Sequence, residues 1–369
     1  MKTSKNFLEN KIVSYEGLTF DDLLLLPNYT DIKREEVNIE TELHPRLRLR
    51  IPVISSPMDT VTEETMAITM AEFGGLGIIH RNIPAAEQAA MVAKVKAKNL
   101  LVGAAVGVGR DLEERVKVLI EAGADVLTVD SAHGHSKFII EAVEYVKQHF
   151  PKMIVMAGNI AGANGAKALI KAGADILRVG IGPGSICTTR IISGMGVPQI
   201  TAIMESVKGA AGSDVSIIAD GGIKQTGDMA KALACGAHAV MLGSLLARFE
   251  ESPGDVVTIN NKNYKIYRGM GSIAAMKKGS AARYGQADTK DSKKLIAEGV
   301  EGLVEFKGKV TDYLFQIEGS LRSSLYYLGS KNLQEFHEKS QFIKITSASL
   351  KESHPHSITV SETGGNYNL

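Results

Sequence analysis

Eight short apolar runs occur in the first two thirds of the chain, and each ends in glycine or small polar residues before a segment of helical periodicity. They cover residues 51–59, 75–82, 100–109, 125–134, 152–160, 175–185, 216–223 and 238–244. Nearly continuous Val, Ile and Leu content is typical of strands buried on both faces of a parallel sheet. The pattern predicts an α/β protein built as a (β/α)8 TIM barrel, with an open doubly wound sheet as the alternative.

The connections between these units also repeat. The sequences EAGAD at 121–125 and KAGAD at 171–175 place a glycine where the end of a helix needs a positive φ, directly before the next strand. CGAH at 235–238 is a looser copy. Repeated helix-to-strand turns favour the closed barrel over the open sheet.

The repeat stops after the eighth run. Residues 251–310 contain a polar hairpin-like stretch at 256–269, a segment rich in Gly, Ser and Ala, and a charged run. We expect them to form no core and to be either disordered or a functional flap or lid. Apolar periodicity at 311–339 predicts closing helices, which together with a polar tail occupy 311–369. The chain 1–369 is therefore predicted to be a single catalytic barrel domain whose strands lie within about 51–244.

Polar and glycine residues collect at the ends of the eight runs. The catalytic residues of a (β/α)8 barrel lie on the loops that follow its strands. In chain order these ends supply Ser56 and Asp59, His80 and Asn82, Gly107 and Gly109, Asp130 and His133, Asn159, Gly182 to Thr189, Asp220 to Gly222, and Gly243 with Ser244. Loops are polar in any protein, which accounts for part of this pattern, but an inert barrel has no reason to gather such residues at one rim.

The segment GIGPGSICTTR at 180–190 places Cys187, one of only two cysteines, among glycines and hydroxyl groups. Glycines there let the backbone approach a ligand closely. Arg190 could favour a thiolate, so the setting suits a reactive cysteine. A small buried hydrophobe is the commoner role of a lone cysteine, and Cys235 on a predicted helix fits that role better.

Glycine turns at 221–222 and 243–244 follow the last two strands, where many barrels bind phosphate. Their backbone N–H groups, with the hydroxyls of Ser185 and Ser244, suit a monophosphate dianion, although any single pair of glycines is more often only a turn. Asp220 is placed to accept hydrogen bonds from ribose hydroxyls, with a turn or helix-capping role as the alternative.

Asp130, in the segment VDSAHGH, could serve a second nucleotide in the same way. The nearby His133 and His135 have no third ligand at a recognisable spacing, so we interpret them as loop histidines and not as a metal site. No G-x-G-x-x-G fingerprint followed by an acidic residue stands where a dinucleotide fold needs it, so barrel loops would bind any nicotinamide cofactor.

The composition excludes other classes of function. A net charge of +1, from 42 basic and 41 acidic residues, provides no global field for nucleic acid or an anionic membrane. No apolar stretch reaches membrane-spanning length, and the N-terminal residues lack the apolar core of a signal peptide. Two cysteines build no disulfide framework, so we expect a cytoplasmic location.

Longer motifs carry a resemblance to a known family. They are GLTFDDLLLLPNYT (17–30), SSPMDTVTE (55–63), GNI (158–160), GIGPGSICTTR (180–190), ADGGI (219–223), MLGS (241–244), YRGMGS (267–272), RYGQ (283–286), EGVEG (298–302) and ESHPHSITV (352–360). In this order they resemble the family of inosine-5′-monophosphate (IMP) dehydrogenase and GMP reductase over nearly the whole chain. Its dehydrogenases oxidise IMP to XMP with NAD in guanine nucleotide synthesis.

The resemblance implies a catalytic set. Cys187 would attack C2 of the hypoxanthine ring, hydride would leave for NAD, and water would hydrolyse the covalent thioimidate. Arg283 and Tyr284 resemble a mobile flap pair that enters the vacated dinucleotide site and activates this water, and Thr189 resembles the threonine that hydrogen-bonds it. Glu298 resembles the residue that contacts the N1/O6 edge of the purine and helps relay a proton.

The same resemblance implies three binding sets. The IMP set is Ser56, Met58, Ser185, Asp220, Gly222, Gly243, Ser244, Tyr267, Met270, Gly271 and Glu298. The NAD set is Asp130, Ser131 and Asn159, with Gly180 and Gly182 of the cysteine loop. The potassium set is the carbonyl groups of Gly182, Gly184 and Cys187, completed by Glu352, Ser353 and His354 of a neighbouring subunit. This last set implies a homotetramer.

The sequence departs from the family pattern at two places. Family members usually carry a pair of CBS modules between the second and third strands, but only about fifteen residues separate Asn82 from the strand near Leu100, so no such module fits. Nucleotide control through that module is therefore expected to be absent. Ala282 precedes the Arg-Tyr pair where an acidic residue is expected, and it could alter flap closure.

Three alternative functions differ in what they require. GMP reductase shares the barrel, the cysteine loop and the lack of CBS modules, but its reductive deamination with NADPH does not need the pair Arg283 and Tyr284. A catalytically silent relative has no reason to retain Cys187, Thr189 and this pair. An unrelated aldolase or synthase barrel predicts a catalytic lysine at a strand end, and none of the eight ends supplies one.

Overall fold

The computed structural model describes residues 11–286, 289, 291–364 and 367, and it begins with three strands outside the barrel. They are β1 (Leu23–Leu25), β2 (Thr41–His44) and β3 (Leu47–Leu49). The β2–β3 hairpin contributes Leu43, Leu47 and Leu49 to the buried cluster that also holds the first residues of several barrel strands. The hairpin therefore closes the N-terminal end of the barrel interior.

Eight parallel strands in the described residues form the closed barrel that the eight apolar runs predict. They are β4 (Val53–Ser55), β5 (Leu76–Ile79), β6 (Gly103–Val106), β7 (Val126–Asp130), β8 (Ile154–Ile160), β9 (Ile176–Val179), β10 (Ser216–Asp220) and β11 (Ala239–Leu242). Neighbouring strands pair in parallel, and β11 pairs with β4 to close the ring. The open-sheet alternative was therefore wrong. Almost every residue of these strands is buried, because helices cover the outside and side chains fill the inside.

Helices connect the barrel strands in the predicted alternation. They are α1 (Glu64–Phe73), α2 (Ala85–Lys96), α3 (Leu112–Glu121), α4 (Lys137–His149), α5 (Ala163–Lys171), α6 (Thr189–Ile192), α7 (Gln199–Ala210) and α8 (Thr226–Ala234). Gly123, Gly173 and Gly236 follow α3, α5 and α8 with φ values of +93°, +97° and +100°, which confirms the predicted glycine turns. One helix, α2, spans the connection from β5 to β6 where CBS modules would be inserted.

The segment after β11 contains the predicted hairpin, formed by residues 256–268, and further structure that the sequence does not predict. Its elements are the antiparallel sheet of β12 (Val256–Ile259), β13 (Lys262–Arg268) and β14 (Glu301–Glu305), the helix α9 (Ile273–Lys277), and 3-10 turns at Ser280–Tyr284 and Ser292–Lys294. The expectation that it forms no core was wrong, because Tyr267, Met270 and Met276 are buried. This core is not evident from the sequence because some of its residues are polar. Lys265, for example, is buried, and its ammonium group donates to backbone carbonyl groups.

The last elements cover the outside of the barrel. They are α10 (Val310–Leu328), α11 (Leu333–Lys339), β15 (Phe342–Lys344) and α12 (Ser347–Glu352). The helices α10 and α11 match the predicted closing helices, and β15 pairs antiparallel with β1. Among the residues described, no helix combines the length and the apolar content needed to cross a membrane.

Candidate active site

A cavity of about 350 Å³ lies at the C-terminal ends of the barrel strands, beneath the flap segment. Cavities of this size are typical of small-molecule sites. The following residues line it and were all predicted from the sequence: Ser56, Met58, Ser131, Asn159, Gly180, Gly182, Gly184, Ser185, Cys187, Thr189, Asp220, Gly222, Gly243, Ser244, Tyr267, Met270, Gly271, Arg283, Tyr284 and Glu298. The fold therefore brings most of the predicted residues to one cavity.

Four predicted site residues do not line this cavity. Asp130 lies behind its wall, in contact with Arg178 and Arg283, which do line it. The other three are exposed at the C-terminal end of α12 and do not reach the cavity of their own chain: Glu352, Ser353 and His354. Their contribution to a neighbouring subunit stays a prediction.

Cys187 lies on the loop after β9, and its thiol donates a hydrogen bond to Thr189 Oγ1 at 3.2 Å. The loop around Cys187, which we call the cysteine loop, pairs with residues 299–300, just before β14. Cys187 forms an antiparallel bridge with Gly299, and the N–H of Val300 donates to the Ile186 carbonyl at 2.9 Å. The position of the candidate nucleophile therefore depends on the sheet of β12, β13 and β14, which we call the flap sheet.

Arg190 braces the cysteine loop. Its Nη2 donates to the Val197 carbonyl at 2.6 Å, and its side chain runs along Gly182 and Gly196, where an added Cβ would lie 2.6 Å from Arg190 Cγ. Glycine is needed at both positions because a side chain would displace the arginine. The geometry supports a loop-packing role for Arg190, in place of the thiolate-stabilising role that the sequence suggested.

Charged side chains face inward at the ends of three barrel strands. Because side chains alternate along a strand, the interior face of β7 ends at Asp130, that of β9 carries Arg178, and that of β10 ends at Asp220. Two positions earlier, Ile176 and Ile218 belong to the apolar cluster that fills the barrel. A charged layer therefore lies directly on the apolar core, at the floor of the cavity.

Arg178 connects the two carboxylates across this layer. Its Nη1 donates to Asp130 Oδ1 at 2.6 Å, and its Nε donates to Asp220 Oδ2 at 2.8 Å. Asn159 Nδ2 donates to the same Asp220 oxygen at 2.8 Å, so neither contact uses Oδ1 of Asp220. Burial alone lowers the pKa of Arg178, but the two carboxylates outweigh burial and raise the pKa above its usual value.

The buried Asp130 carboxyl group is held in its ionised form. Burial by itself raises the pKa of Asp130, but the positive charges of Arg283, Arg178 and Arg81 outweigh burial and hold the pKa well below the usual range. The group is therefore a carboxylate at neutral pH. A buried carboxylate can accept hydrogen bonds from hydroxyl groups without exchanging them for water.

The flap reaches the same carboxylate. Arg283, in the turn Ser280–Tyr284, donates from Nη1 to Asp130 Oδ2. Tyr284 packs against Gly271, where an added Cβ would lie 2.7 Å from Tyr284 Cζ. Burial raises the pKa of Tyr284, so its phenol stays protonated at neutral pH. The side chains of Arg283 and Tyr284, the predicted flap pair, therefore lie inside the cavity, and we call this position of the segment closed.

The glycine turns after β10 and β11 lie at one end of the cavity. Gly221 and Gly222 have φ values of +90° and +80°, and both pack against Pro183. A Cβ at Gly243 would lie 2.8 Å from the hydroxyl oxygen of Tyr267. Burial raises the pKa of Tyr267, so its hydroxyl remains a donor at neutral pH. Close-packed turns of this kind suit a phosphate group.

Two donor sets bear on metal binding. No group of three His, Cys, Asp or Glu side chains that could hold a metal occurs in the part of the chain that the structure describes, and His133 and His135 are exposed, as loop histidines would be. The cysteine loop offers carbonyl oxygens instead. Gly182 has a φ of +81°, and the Gly184 carbonyl accepts from the Cys187 N–H at 3.1 Å, so these residues form one tight turn. Backbone carbonyl oxygens of this kind are suitable ligands for a potassium ion.

The sequence predictions missed two arginines of the site. Arg178 stands inside the apolar run 175–185, and Arg81 lies between the predicted His80 and Asn82. An arginine at an inward position of a buried strand needs a buried partner, so the segment DILRVG contained a usable signal. Arg81 offered no comparable signal, because polar residues are ordinary after a strand end.

The chain matches the family model described as IMP dehydrogenase / GMP reductase domain over residues 17–356. Its relatives include the inosine-5′-monophosphate dehydrogenase of Cryptosporidium parvum, 44% identical over 395 residues that cover 95% of this chain and 98% of the relative. The protein of the same name from Borreliella burgdorferi is 43% identical over 401 residues, which cover 95% and 99%. That of Aquifex aeolicus is 39% identical over 481 residues, which cover 95% and 98%.

The alignment with the Aquifex aeolicus protein is longer than the 369 residues of this chain, so that relative carries residues without a counterpart here. The matched range contains every barrel strand, the cysteine loop and the flap segment. A match of this extent, together with relatives above 40% identity over nearly full length, leads to one conclusion. The chain belongs to the IMP dehydrogenase / GMP reductase family.

Proposed function

We propose that this chain is an NAD-dependent IMP dehydrogenase, which converts IMP, NAD and water to XMP and NADH in guanine nucleotide synthesis. The observation that carries the proposal is a single cavity lined by Cys187 and Thr189 together with the flap pair Arg283 and Tyr284. Covalent oxidation followed by hydrolysis needs a nucleophile and a water-activating group at one site. The relatives described above carry the dehydrogenase name.

IMP would lie between the glycine turns and the cysteine. Its phosphate would contact the turns after β10 and β11, and its ribose hydroxyls would donate to Asp220. Arg178 and Asn159 both bond to Oδ2 of that carboxylate, which fixes its plane and directs Oδ1 to the ligand. The proposed IMP contacts are Ser56, Met58, Ser185, Asp220, Gly222, Gly243, Ser244, Tyr267, Met270, Gly271 and Glu298.

The first half-reaction would be oxidation at C2 of the purine. The Cys187 sulfur would form a bond to C2 as the thiol releases its proton to water, and the hydrogen on C2 would leave with its electron pair. Bound NAD supplies the acceptor for this hydride. Thr189, whose hydroxyl lies 3.2 Å from the sulfur, orients Cys187. The oxidised C2 would remain attached to sulfur as a thioimidate.

The second half-reaction would be hydrolysis. Water would add to C2 and the C–S bond would break, which releases XMP and restores the Cys187 thiol. Thr189 would hydrogen-bond this water, Arg283 and Tyr284 would activate it from the flap, its proton would pass to the departing Cys187 sulfur, and Glu298 would help relay a proton at the purine edge. An arginine with a pKa above ~12 is a weak base in water, so this role requires a dry site. The Arg283 side chain is 11% exposed in the closed flap.

The flap and the dinucleotide would use the same carboxylate in turn. Asp130, Ser131 and Asn159 are the proposed NAD contacts, with Gly180 and Gly182 at the cysteine loop, while Asp130 Oδ2 accepts from Arg283 in this structure. Arg283 would therefore withdraw before NAD binds and return after NADH leaves. Hydride transfer and hydrolysis would then take place with the flap in different positions.

Other parts of the proposal concern the assembly. Potassium would be the resident cation on the carbonyl groups of the cysteine loop, and its remaining ligands would come from a neighbouring subunit of a homotetramer: Glu352, Ser353 and His354. Because one helix spans the connection from β5 to β6, we propose that nucleotide control through CBS modules is absent. A cytoplasmic location stays a prediction.

Rapid mixing with IMP and NAD tests this function. In potassium buffer we expect a burst of NADH absorbance followed by a slower steady rate, because hydrolysis follows oxidation. Arg283→Ala is expected to lower the steady rate about 100-fold, the usual scale for losing a group that assists proton transfer, and the burst far less. Cys187→Ala is expected to abolish both phases. Equal losses of burst and steady rate in Arg283→Ala would remove Arg283 from hydrolysis.

GMP reductase is the second candidate, because the matched family includes both activities. Arg283 and Tyr284 favour the dehydrogenase, since reductive deamination does not require a water-activating pair. Turnover of GMP with NADPH, without turnover of IMP with NAD, would overturn the proposed function. The same assay in sodium in place of potassium tests the cation, and we expect the potassium rate to be higher.

A further inference from the structure

A third arginine, Arg81, approaches the Asp130 carboxylate from the loop after β5. Arg178 occupies Oδ1 at 2.6 Å, and Arg283 occupies Oδ2. Arg81 Nε lies 3.6 Å from the same Oδ2, beyond hydrogen-bond distance, and its Nη2 makes one long contact of 3.4 Å with the Asp130 carbonyl. Two arginines therefore approach one oxygen, and in the closed flap Arg283 is the one bonded to it.

Arg81 has few acceptors although its side chain is only 14% exposed. Its Nε has no hydrogen-bond acceptor among the described residues. Asp111, the other carboxylate whose charge acts on Arg81, is bonded to Arg115 at 2.7 Å. The guanidinium group lies against Gly107, where an added Cβ would be 2.6 Å from Nη1. The Nε of Arg283 has no acceptor in the described part of the chain either, so the closed position leaves both arginines incompletely paired, which is unfavourable for buried donors.

The closed flap also places like charges together. Asp220 compensates Arg178, which leaves Arg81 and Arg283 to share Asp130. Burial lowers the pKa of Arg81, Asp130 opposes this shift, and Arg283 adds to it, as expected for neighbouring cations. Withdrawal of Arg283 removes this repulsion and leaves Oδ2 open to Arg81.

We propose that Arg81 is a positioning residue that takes over Asp130 Oδ2 when Arg283 withdraws, and so favours the flap position that admits the dinucleotide. A shift of Nε from 3.6 Å to hydrogen-bond distance completes the new pair, while Arg178 keeps Oδ1. The carboxylate stays ionised and keeps lone pairs for ribose hydroxyls. The proposal rests on the proposed function, because it requires a flap that moves.

Arg81 favours the withdrawn position of the flap in two ways. It repels Arg283 when the flap is closed, and it pairs with Asp130 when the flap is withdrawn. Its removal therefore shifts the equilibrium toward closure, and the apparent affinity for a ligand that needs the withdrawn flap falls with the fraction of molecules in that state. The affinity for IMP is expected to stay within about twofold, because Asp220 keeps its partners Arg178 and Asn159.

The test measures binding without chemistry, in a Cys187→Ala background saturated with IMP. Titration calorimetry with NAD is expected to show affinity about tenfold weaker for Arg81→Met, within the usual range of coupling between sites, and less than about threefold weaker for the charge-keeping Arg81→Lys. Arg110→Met removes an exposed arginine after β6 and serves as the matched control, with unchanged affinity. Hydrogen exchange of residues 276–286 before NAD is added is expected to be slower in Arg81→Met.

Three results would count against this role, and a fourth would count against the proposed function. One is an NAD affinity of Arg81→Met equal to that of Arg110→Met, and another is flap exchange in Arg81→Met that is unchanged or faster. A third uses nicotinamide riboside, which has no phosphate: if its affinity is unaffected while that for NAD falls, Arg81 contacts the pyrophosphate directly and the proposal is wrong. Lastly, failure of the Cys187→Ala parent itself to bind NAD would contradict the proposed function, whereas normal parent binding with an unaltered Arg81→Met contradicts the Arg81 role alone.

Discussion

Arg178 is the residue that joins the two buried carboxylates of the site. Its side chain is 4% exposed, and it bonds to Asp130 on one side and to Asp220 on the other. A buried ion pair is weak support for stability while intact, but loss of one partner leaves an uncompensated charge away from water. The contribution of Arg178 therefore becomes visible when it is removed.

Arg178→Met is expected to lower the free energy of unfolding by about 3 kcal/mol, because two buried carboxylates lose a shared cation. The KM values for IMP and NAD should rise together. Since Arg178 is one of the cations that hold down the pKa of Asp130, its loss raises that pKa, and NAD binding should then weaken at a higher pH on acidification. Urea denaturation and pH profiles of kcat/KM measure these effects. A change in only one of the two KM values would contradict the bridging role.

At the residue scale, the sequence predicted the reactive groups better than the groups that hold them. Cys187 stands in a loop whose glycines and hydroxyl groups carried their own signal, whereas Arg283 was predicted from the family resemblance of its motif. Arg178 and Arg81 act through Asp130, and that contact depends on the order and register of β5, β7 and β9 around the barrel. Contacts between strand ends follow from barrel closure and are absent from any local pattern.

The elements that carry the chemistry are the cysteine loop and the flap sheet. The bridge between Cys187 and Gly299 joins them, so the nucleophile and the base of the flap move as neighbours. Gly271, at the turn between β13 and α9, packs against the ring of Tyr284. The closed position of the flap thus depends on the absence of a side chain at one point.

Gly271→Ala is expected to displace the Tyr284 ring from this position, because the new Cβ would lie 2.7 Å from Cζ and 2.8 Å from the hydroxyl oxygen. The steady rate of NADH formation should fall at least about tenfold while the burst persists, since hydrolysis needs the closed flap. Gly302→Ala, in β14 of the same sheet, is the matched control, because its Cβ meets no atom within 4 Å. Stopped-flow traces in which burst and steady rate fall equally would show that Gly271 serves another step.

At the element scale, the sequence predicted the barrel completely and the flap only in outline. The barrel strands are buried on both faces, so each appears as a continuous apolar run. The flap strand β13 buries one face, and that face carries Lys265 and Tyr267, whose polar ends find partners inside the structure. A half-buried strand with polar inward side chains has no apolar signature, which is why residues 251–310 were predicted to form no core.

Across the whole molecule, the two ends of the barrel respond to protons in different ways. At the C-terminal end, cations keep Asp130 ionised. Just before β11, at the other end, the rings of His238 and His337 meet edge to face with centroids 6.0 Å apart. Burial, together with the nearby His337, lowers the pKa of His238 to about 4. The imidazole of His238 is therefore neutral in the folded protein across the physiological range.

Stability is expected to fall as the pH drops from about 6.5 to 4. The unfolded chain binds a proton on His238 near pH 6.5 and the folded chain near pH 4, so protonation favours the unfolded state between these values. The loss should reach at most about 3 kcal/mol, and it should be absent above pH 7. Urea denaturation at several pH values measures it. His238→Asn should flatten this dependence, and the exposed His149→Gln should not; a flat profile in the unaltered protein would contradict the prediction.

The pairing of the cysteine loop with residues 299–300 also sets a rule for ligands. If a nucleotide on Cys187 changes the free energy of flap closure, closure changes the free energy of nucleotide binding by the same amount, because the two events form one thermodynamic cycle. An inhibitor that needs the withdrawn flap and a competitor of IMP would then alter each other's affinity without touching. An affinity measured with the flap fixed in one position therefore leaves out the free energy of flap closure.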